Sequence, residues 1–132
     1  MIINDIKIKK EIVTLKKTFK TSLRETNSIE TIVVKIITED GEIGYGSAAP
    51  TEVITGETVD SIIGAINYLK KFLIGENINN SNKLFEIINS KIQKNTSAKA
   101  AIDIAIYDLL AKKFKTPLYK YLGGGKRKLE TD

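Results

Sequence analysis

The stretch GYGSAAPTEVITGET, residues 44–58, marks the point where this sequence changes from strand-like to helix-like patterning. Before it, apolar residues alternate or cluster in short β-branched runs, and after it they recur every three or four residues. The stretch is rich in glycine and small residues, and it contains no cysteine, no histidine and no obvious nucleophile. We therefore expect a long connection between a sheet and a helical part, with a task other than covalent chemistry.

Three strands are predicted around the start of this stretch. DIKIKKEIVTL (5–15) alternates isoleucine with lysine, SIETIVVKIITE (28–39) is β-branched and apolar, and IGYGSA (43–48) follows closely. Asp40-Gly41 lies between the second and third runs and is a strong hairpin signal. The pattern predicts an antiparallel three-stranded meander, and the glycines of its third strand indicate a close backbone approach or a bulge.

The connection between the first two predicted strands, KKTFKTSLRETN (16–27), is far longer than a hairpin needs. Loops of this length without secondary structure are usually functional or disordered. We therefore expect loops over 16–27 and 49–56, and we expect these two loops to carry the function of this region.

The remainder of the sequence predicts helices. In 57–74, apolar residues recur at intervals of three and four. Glu57 suits the positive N-terminal end of that helix, and Gly75 is a plausible C-terminal stop. A second helix is expected after Ser81, which we interpret as its N-cap.

The third predicted helix, 98–114, is apolar or alanine on nearly every side, which places it at the centre of a bundle. Thr116-Pro117 should end it. A single helical turn over 118–122 and a glycine break at 123–125 follow. The fold class is therefore α+β: a three-stranded antiparallel β-meander followed by a bundle of three to four helices.

Composition excludes several classes of chemistry. The 132 residues, enough for one domain, include no cysteine and no histidine, so disulfides, thiolate catalysis and histidine-based acid–base catalysis are excluded. The net charge is +5, but 19 of the 21 basic residues are lysine and the chain has 22 isoleucines, a bias that AT-rich coding produces. We therefore expect no nucleic-acid partner.

The sequence also lacks membrane and secretion signals. No run approaches the roughly 18 apolar residues that a membrane span requires, and the N-terminus has no signal-peptide pattern. We expect a cytoplasmic protein with no membrane partner.

No acidic or glycine motif in the sequence is specific enough to indicate a reaction. Asp103 and Asp108 are five residues apart on one predicted helix, so they lie about 140° apart around it and cannot form a carboxylate pair. We expect each to be buried or half-buried and bonded to a neighbouring turn. Gly123–Gly125 has no preceding strand and no Lys-Ser/Thr after it, which indicates a linker rather than a phosphate loop. Gly44-x-Gly46 lacks the third glycine of a dinucleotide site. We predict no catalytic residue and no metal ligand in this chain.

Three segments carry a resemblance to a known family: DGEIGYGSAAPTEVITGET (40–58), NTSAKAAIDIAIYDLLAKKFKTPLYKYLGG (95–124) and LETD (129–132). Together they resemble the N-terminal capping domain of the enolase superfamily, in its muconate-lactonizing-enzyme-like branch. PTEVITGET, NTSAKAA and LETD are most similar to the dipeptide epimerases, typified by L-Ala-D/L-Glu epimerase. Ser47 departs from the pattern, since many relatives carry an acidic residue there.

The resemblance implies a Mg²⁺-dependent isomerase that abstracts the proton α to a carboxylate. Its metal ligands and lysine bases belong to a (β/α)-barrel, which takes about 250 residues. We expect 1–122 to be the capping domain and 123–132 to be a linker and the start of the first barrel strand. The barrel would then lie beyond residue 132, and this chain alone would be an inactive, truncated fragment.

The resemblance also implies three substrate-binding residues. Arg24 would hold a substrate carboxylate, Phe19 would pack over a bound acidic dipeptide, and Ile54 would form an apolar wall. The alternatives are a solvated charge for Arg24, anchoring of the loop against the sheet for Phe19, and ordinary packing for Ile54.

The alternative to an enzyme fragment is a stand-alone binding or structural module without catalysis. An enzyme fragment should leave an apolar face bare, whereas a module should be polar on all sides. The partners implied are the chain's own C-terminal barrel and further copies of the chain.

Overall fold

The structure is a computed structural model that describes residues 1–130. It confirms the predicted α+β class and the order of strands before helices. The elements are β1 Ile3–Lys20, β2 Glu25–Thr38, β3 Ile43–Ala48, α1 Val59–Leu73, α2 Ser81–Ser90, α3 Thr96–Lys113 and α4 Leu118–Tyr121.

The three strands form one antiparallel sheet in the order β1-β2-β3. The predicted hairpin between β2 and β3 is present, and Gly41 in its turn has a φ of 85°, a conformation that favours glycine. One face of the sheet is buried against the helices. Its buried apolar residues on β1 and β2 are Ile3, Ile6, Ile32, Val34 and Ile36.

The prediction of a loop over 16–27 is wrong. β1 continues through Lys20 and β2 begins at Glu25, so most of this segment is a two-stranded extension that we call the arm (residues 16–27). Its turn is closed by a 2.8 Å hydrogen bond from the Thr21 amide to the Arg24 carbonyl. The arm buries no apolar face, and alternation of apolar residues is the signal by which a strand is recognised in a sequence.

Helix α3 packs directly on β3, as its small and apolar composition predicts. A Cβ added to Gly46 would lie 1.9 Å from the Ala101 carbonyl oxygen, and one added to Gly44 would lie 2.2 Å from the Ala105 carbonyl oxygen. The close approach predicted for this strand is therefore an approach to α3. It fixes the sheet against the central helix.

The start of α1 differs from the prediction. Thr58 is its N-cap and forms a capping box with Ser61, so the helix begins two residues after Glu57. Gly75, with a φ of 83°, follows the C-cap Ile74 and confirms the predicted stop. Glu57 belongs to another helix end, described below.

The cap of α2 also differs by one residue. Asn80 is the N-cap and Ser81 is the first helical residue, without a capping hydrogen bond from a side chain. The single turn α4 confirms the prediction for 118–122. The linker and the start of a barrel strand predicted over 123–132 lie partly outside the described residues, and 124–130 form no regular secondary structure. The division into 1–122 and 123–132 stays a prediction.

The core lies between the sheet and helices α1, α2 and α3. Within residues 1–130, no helix has both the length and the apolar character to cross a membrane.

Candidate functional site

A cleft of about 480 Å³ opens at one end of the sheet. β2 pairs with β3 only as far as Ile32 and Ala48. Beyond that pair, β2 continues with β1 into the arm, while the chain after β3 turns away, and the cleft forms where the two diverge. Its lining comes from the arm and its base and from the first residues after β3: Leu15, Phe19, Arg24, Thr26, Ser28, Ile29, Glu30, Ala49, Pro50, Thr51 and Glu52.

Two of the three predicted binding residues, Phe19 and Arg24, line this cleft. Phe19 pairs with Thr26 across the arm, and 53% of the residue is exposed, so its contact with a substrate stays a prediction. Arg24 lies at the tip, where its amide donates to the Thr21 hydroxyl at 3.2 Å. Within residues 1–130 its guanidinium has no carboxylate partner. The structure thus brings an apolar ring and a cation to one cleft.

Ile54, the third predicted residue, does not line the cleft. It lies in the 49–56 loop beside Val53, and 74% of it is exposed. Packing within the described residues therefore does not explain an isoleucine at position 54. Contact of Ile54 with a substrate stays a prediction.

Sequence reasoning missed the acidic residues of the cleft. Glu30 lies on β2 and forms a 2.8 Å ion pair with Lys10 across the sheet. Glu52 lies on the opposite wall, in the 49–56 loop. No local pattern marks either residue, because the cleft exists only after the arm and the loop are placed. The cleft can bind a small charged molecule by hydrogen bonding and apolar contact, and its lining contains no cysteine, histidine or lysine.

The 49–56 loop is closed by hydrogen bonds of its own backbone. Thr51 and Glu57 form an isolated antiparallel bridge. Inside it, the amides of Ile54 and Thr55 donate to the Thr51 carbonyl at 3.1 and 2.9 Å. Thr51 also lines the cleft, so closing the loop and forming one wall of the cleft depend on the same residue.

Glu57 caps α3, not α1 as its position in the sequence suggests. Its carboxylate is buried and accepts hydrogen bonds from the Ser97 amide at 3.0 and 3.1 Å and from the Ala98 amide at 3.3 Å. Burial raises the pKa of this carboxyl, but the hydrogen bonds from Ser97, Ala98 and Thr96 outweigh burial and hold the pKa below its usual value. The sequence gives no local sign of this contact because the partners are about 40 residues apart.

The two aspartates of α3 lie apart, as their spacing predicts. Asp108 accepts from the Tyr45 amide at 2.9 Å and from the Lys112 ammonium at 2.8 Å. Asp108 therefore bonds to the next turn of α3, through Lys112, as predicted, and it also bonds to strand β3, which the sequence did not indicate. Asp103 is half-buried, and burial raises the pKa of its carboxyl. It lies in a shallow recess between α2 and α3, beside Lys99.

Comparison with known proteins identifies the family. The chain matches the family described as "Mandelate racemase / muconate lactonizing enzyme, N-terminal domain" over residues 3–123. The chain belongs to this family. The fold described above is that of the capping domain at the N-terminus of enolase-superfamily proteins.

The family's relatives include dipeptide epimerases. The chain is 50% identical, over 133 residues, to an L-Ala-D/L-Glu epimerase of Clostridium acetobutylicum, covering 100% of this chain and 37% of that protein. It resembles a substrate-liganded L-Ala-D/L-Glu epimerase of Bacillus subtilis with a TM-score of 0.89 and 39% identity, covering 92% of this chain and 34% of the other.

A third relative is a dipeptide epimerase of Cytophaga hutchinsonii, complexed with Mg and the dipeptide D-Ala-L-Val. It matches with a TM-score of 0.90 and 38% identity, over 97% of this chain and 35% of the other. The chain thus spans about a third of the length of the relatives it matches.

A magnesium ion such as the one in the Cytophaga hutchinsonii relative does not fit the described part of this capping domain. Among residues 1–130, no three histidine, cysteine, aspartate or glutamate side chains come close enough together to hold a metal ion. Glu57 and Asp108 already accept hydrogen bonds from backbone amides. No reaction step is therefore assigned to a metal within these residues.

Proposed function

We propose that this chain is the substrate-covering domain of a Mg²⁺-dependent epimerase acting on a dipeptide of the L-Ala-D/L-Glu type. The observation that carries the proposal is the cleft, in which the arm presents Arg24 and Phe19 opposite the 49–56 loop. The comparisons support the proposal because the whole chain aligns with an L-Ala-D/L-Glu epimerase at 50% identity.

In this proposal Arg24 recognises the acidic side chain of the substrate. A guanidinium offers a planar pair of donors to a carboxylate, and the guanidinium of Arg24 has no carboxylate partner within residues 1–130. A dipeptide that ends in glutamate has two carboxylates. Abstraction of the α-proton requires one of them at the metal, which leaves the other for Arg24.

Phe19 and the 49–56 loop form the apolar and covering parts of the site. Phe19 lies on the arm and can pack over the bound dipeptide. Loops that cover a reaction site exclude water and so strengthen the electrostatic interactions inside it. Ile54 on the exposed part of the loop would then contact the small N-terminal side chain or the neighbouring domain.

The chemistry of the reaction then belongs to a partner domain. Residues 1–122 cover the site, and 123–132 lead into a (β/α)-barrel that supplies the lysine bases and the Mg²⁺ ligands. The cleft itself adds recognition of the substrate. Residues 1–132 alone are therefore expected to be inactive.

The test is exchange of the substrate α-proton in D₂O, followed by NMR, with the longer protein that carries this domain. L-Ala-L-Glu should exchange at the glutamate Cα when Mg²⁺ is present, and chelation should stop the exchange. L-Ala-L-Val serves as the matched dipeptide without the acidic side chain and should exchange more slowly. Absence of exchange with every dipeptide, or exchange by residues 1–132 alone, would contradict the proposal.

A further inference from the structure

We propose that Glu57 is a positioning residue that holds the 49–56 loop, and with it one wall of the cleft, against α3. The inference deepens the proposed function, since it rests on the cleft being the surface that recognises the substrate. It is carried by the contacts on the two sides of Glu57, one from its carboxylate and one from its backbone.

The carboxylate of Glu57 reaches the first turn of α3. Only 6% of the residue is exposed. Besides the amides of Ser97 and Ala98, it accepts a hydrogen bond from the Thr96 hydroxyl at 3.2 Å. The helix's own N-cap residue, Asn95, has a left-handed backbone and makes no capping hydrogen bond with its side chain. Glu57 therefore supplies the cap that α3 lacks locally.

The backbone of Glu57 closes the loop. It bridges to Thr51, and its amide donates to the Thr55 hydroxyl at 3.3 Å. Thr55 in turn donates to the Thr51 carbonyl through both its amide and its hydroxyl. Because Thr51 lines the cleft, the position of this wall follows the position of Glu57.

Few other contacts within residues 1–130 hold the loop. Residues 52–56 are all exposed, so packing against the core contributes little to their placement. The loop is attached at Ala48, the buried end of β3, and at Glu57. Loss of the Glu57 contact to α3 should therefore free one of the two attachments.

The first test measures hydrogen exchange of the Ile54 and Thr55 amides by NMR in the 132-residue chain, at a protein concentration at which sedimentation shows a monomer. Glu57→Gln should speed their exchange about tenfold or more, the order expected when a hydrogen bond to a charged group is lost. The matched control is Thr58→Ala. It removes the N-cap hydrogen bond of α1, one residue after Glu57, and leaves the contacts to α3 in place. Equal exchange at Ile54 and Thr55 in the two variants would overturn the proposal and leave Glu57 as a helix cap only.

A second variant covers the case in which Glu57→Gln does not fold. Glu57→Asp keeps the charge but shortens the side chain by one methylene group, and it should speed exchange at the same two amides by a smaller factor. Unchanged exchange in a folded Glu57→Asp variant, with Glu57→Gln unfolded, would contradict a positioning role.

Kinetics of the longer protein provide a second readout. Glu57→Gln should raise KM for the dipeptide several-fold while kcat changes less, because the residue touches no reacting atom. Thr58→Ala should change neither. A fall in kcat at constant KM would overturn the positioning role. Lack of activity in the unchanged enzyme would refute the proposed function, and the amide exchange would still decide the role of Glu57.

Discussion

Gly46 shows how one residue without a side chain sets the distance between the sheet and α3. Its missing Cβ leaves room for the Ala101 carbonyl, which a methyl group would approach to 1.9 Å. Backbone atoms cannot rotate away as a flexible side chain can, so the helix or the strand must shift. We expect Gly46→Ala to lower the free energy of unfolding by about 3 kcal/mol, the upper range for overpacking a core.

Gly64 offers the matched control for that measurement. It lies in α1, exposed, with no atom within 4 Å of an added Cβ. Gly64→Ala should raise the free energy of unfolding by about 0.5–1 kcal/mol, because alanine favours a helix. Urea denaturation of the two variants measures both effects, and equal stability of Gly46→Ala and the unchanged chain would contradict the close contact.

Arg24 tests substrate recognition by a single side chain. In the longer protein, Arg24→Ala should lower kcat/KM for L-Ala-L-Glu by roughly ten- to two-hundred-fold, from loss of a contact worth about 1.5–3 kcal/mol. Arg24→Lys should recover part of this, since lysine is a point donor rather than a planar fork. The control is Arg127→Ala, at the chain's other arginine, which does not line the cleft. Unchanged kcat/KM in Arg24→Ala would identify Arg24 as a solvated charge.

Glu57 also makes stability depend on pH. Because its pKa is lower in the folded chain than in the unfolded chain, it stabilises the fold above the unfolded pKa. That contribution is lost as the pH falls below the usual range of a glutamate carboxyl and through the lower folded pKa. In urea denaturation at a series of pH values, Glu57→Gln should therefore lose less stability on acidification than the unchanged chain.

Asp103 makes stability depend on pH in the opposite direction to Glu57. Burial raises its pKa in the folded chain, so its contribution is greatest below the unfolded pKa and is lost as the pH rises through the folded one. Asp103→Asn should therefore steepen the loss of stability on acidification. If both variants had the same slope as the unchanged chain, neither carboxyl would titrate differently in the folded and unfolded chains.

At the scale of elements, the arm is a strand pair that contributes little to the core. All of residues 16–25 are exposed, and β1 and β2 shift register between Thr14 and Phe19. Replacing 15–27 by Asn-Gly, a favourable hairpin turn, should change the free energy of unfolding by less than about 1 kcal/mol. Thermal unfolding of the shortened chain measures this. A large loss of stability would mean that the arm supports the fold rather than the cleft.

The strands and helices that bury a face in the core were predictable from the sequence, whereas the arm and the long-range cap of Glu57 were not. α3 and β3 were predicted because alanine, isoleucine and glycine in their patterns imply close packing. The arm was not, because polar cross-strand contacts hold it, such as the 3.4 Å ion pair of Lys20 with Glu25. Caps that bridge distant segments, like that of Glu57 on α3, leave no local pattern at all. The same limit applies to the cleft, which needs the arm and the loop in place.

The whole molecule has a buried core on one side of the sheet and exposed apolar residues around the cleft. Leu23 at the tip of the arm is 80% exposed, and Phe19, Val53 and Ile54 are exposed on or beside the cleft walls. Isolated exposed apolar residues are normal, but several near one concave site indicate a surface that another domain or protein covers. We expect the exposed apolar residues at this end to face a covering domain, whereas others, such as Ile104 and Phe114, lie away from the cleft.

The 132-residue chain should therefore self-associate when studied alone. Exposed apolar surface of more than a few hundred Å² tends to find a partner, and without a covering domain the available partner is another copy. The double variant Val53→Ser/Ile54→Ser should weaken association, measured by sedimentation over a wide range of concentrations. Ile104→Gln is the control, since Ile104 is an exposed isoleucine on α3 outside the cleft. A monomer at the highest concentration, with little binding of a hydrophobic dye, would show that the cleft end does not mediate self-association.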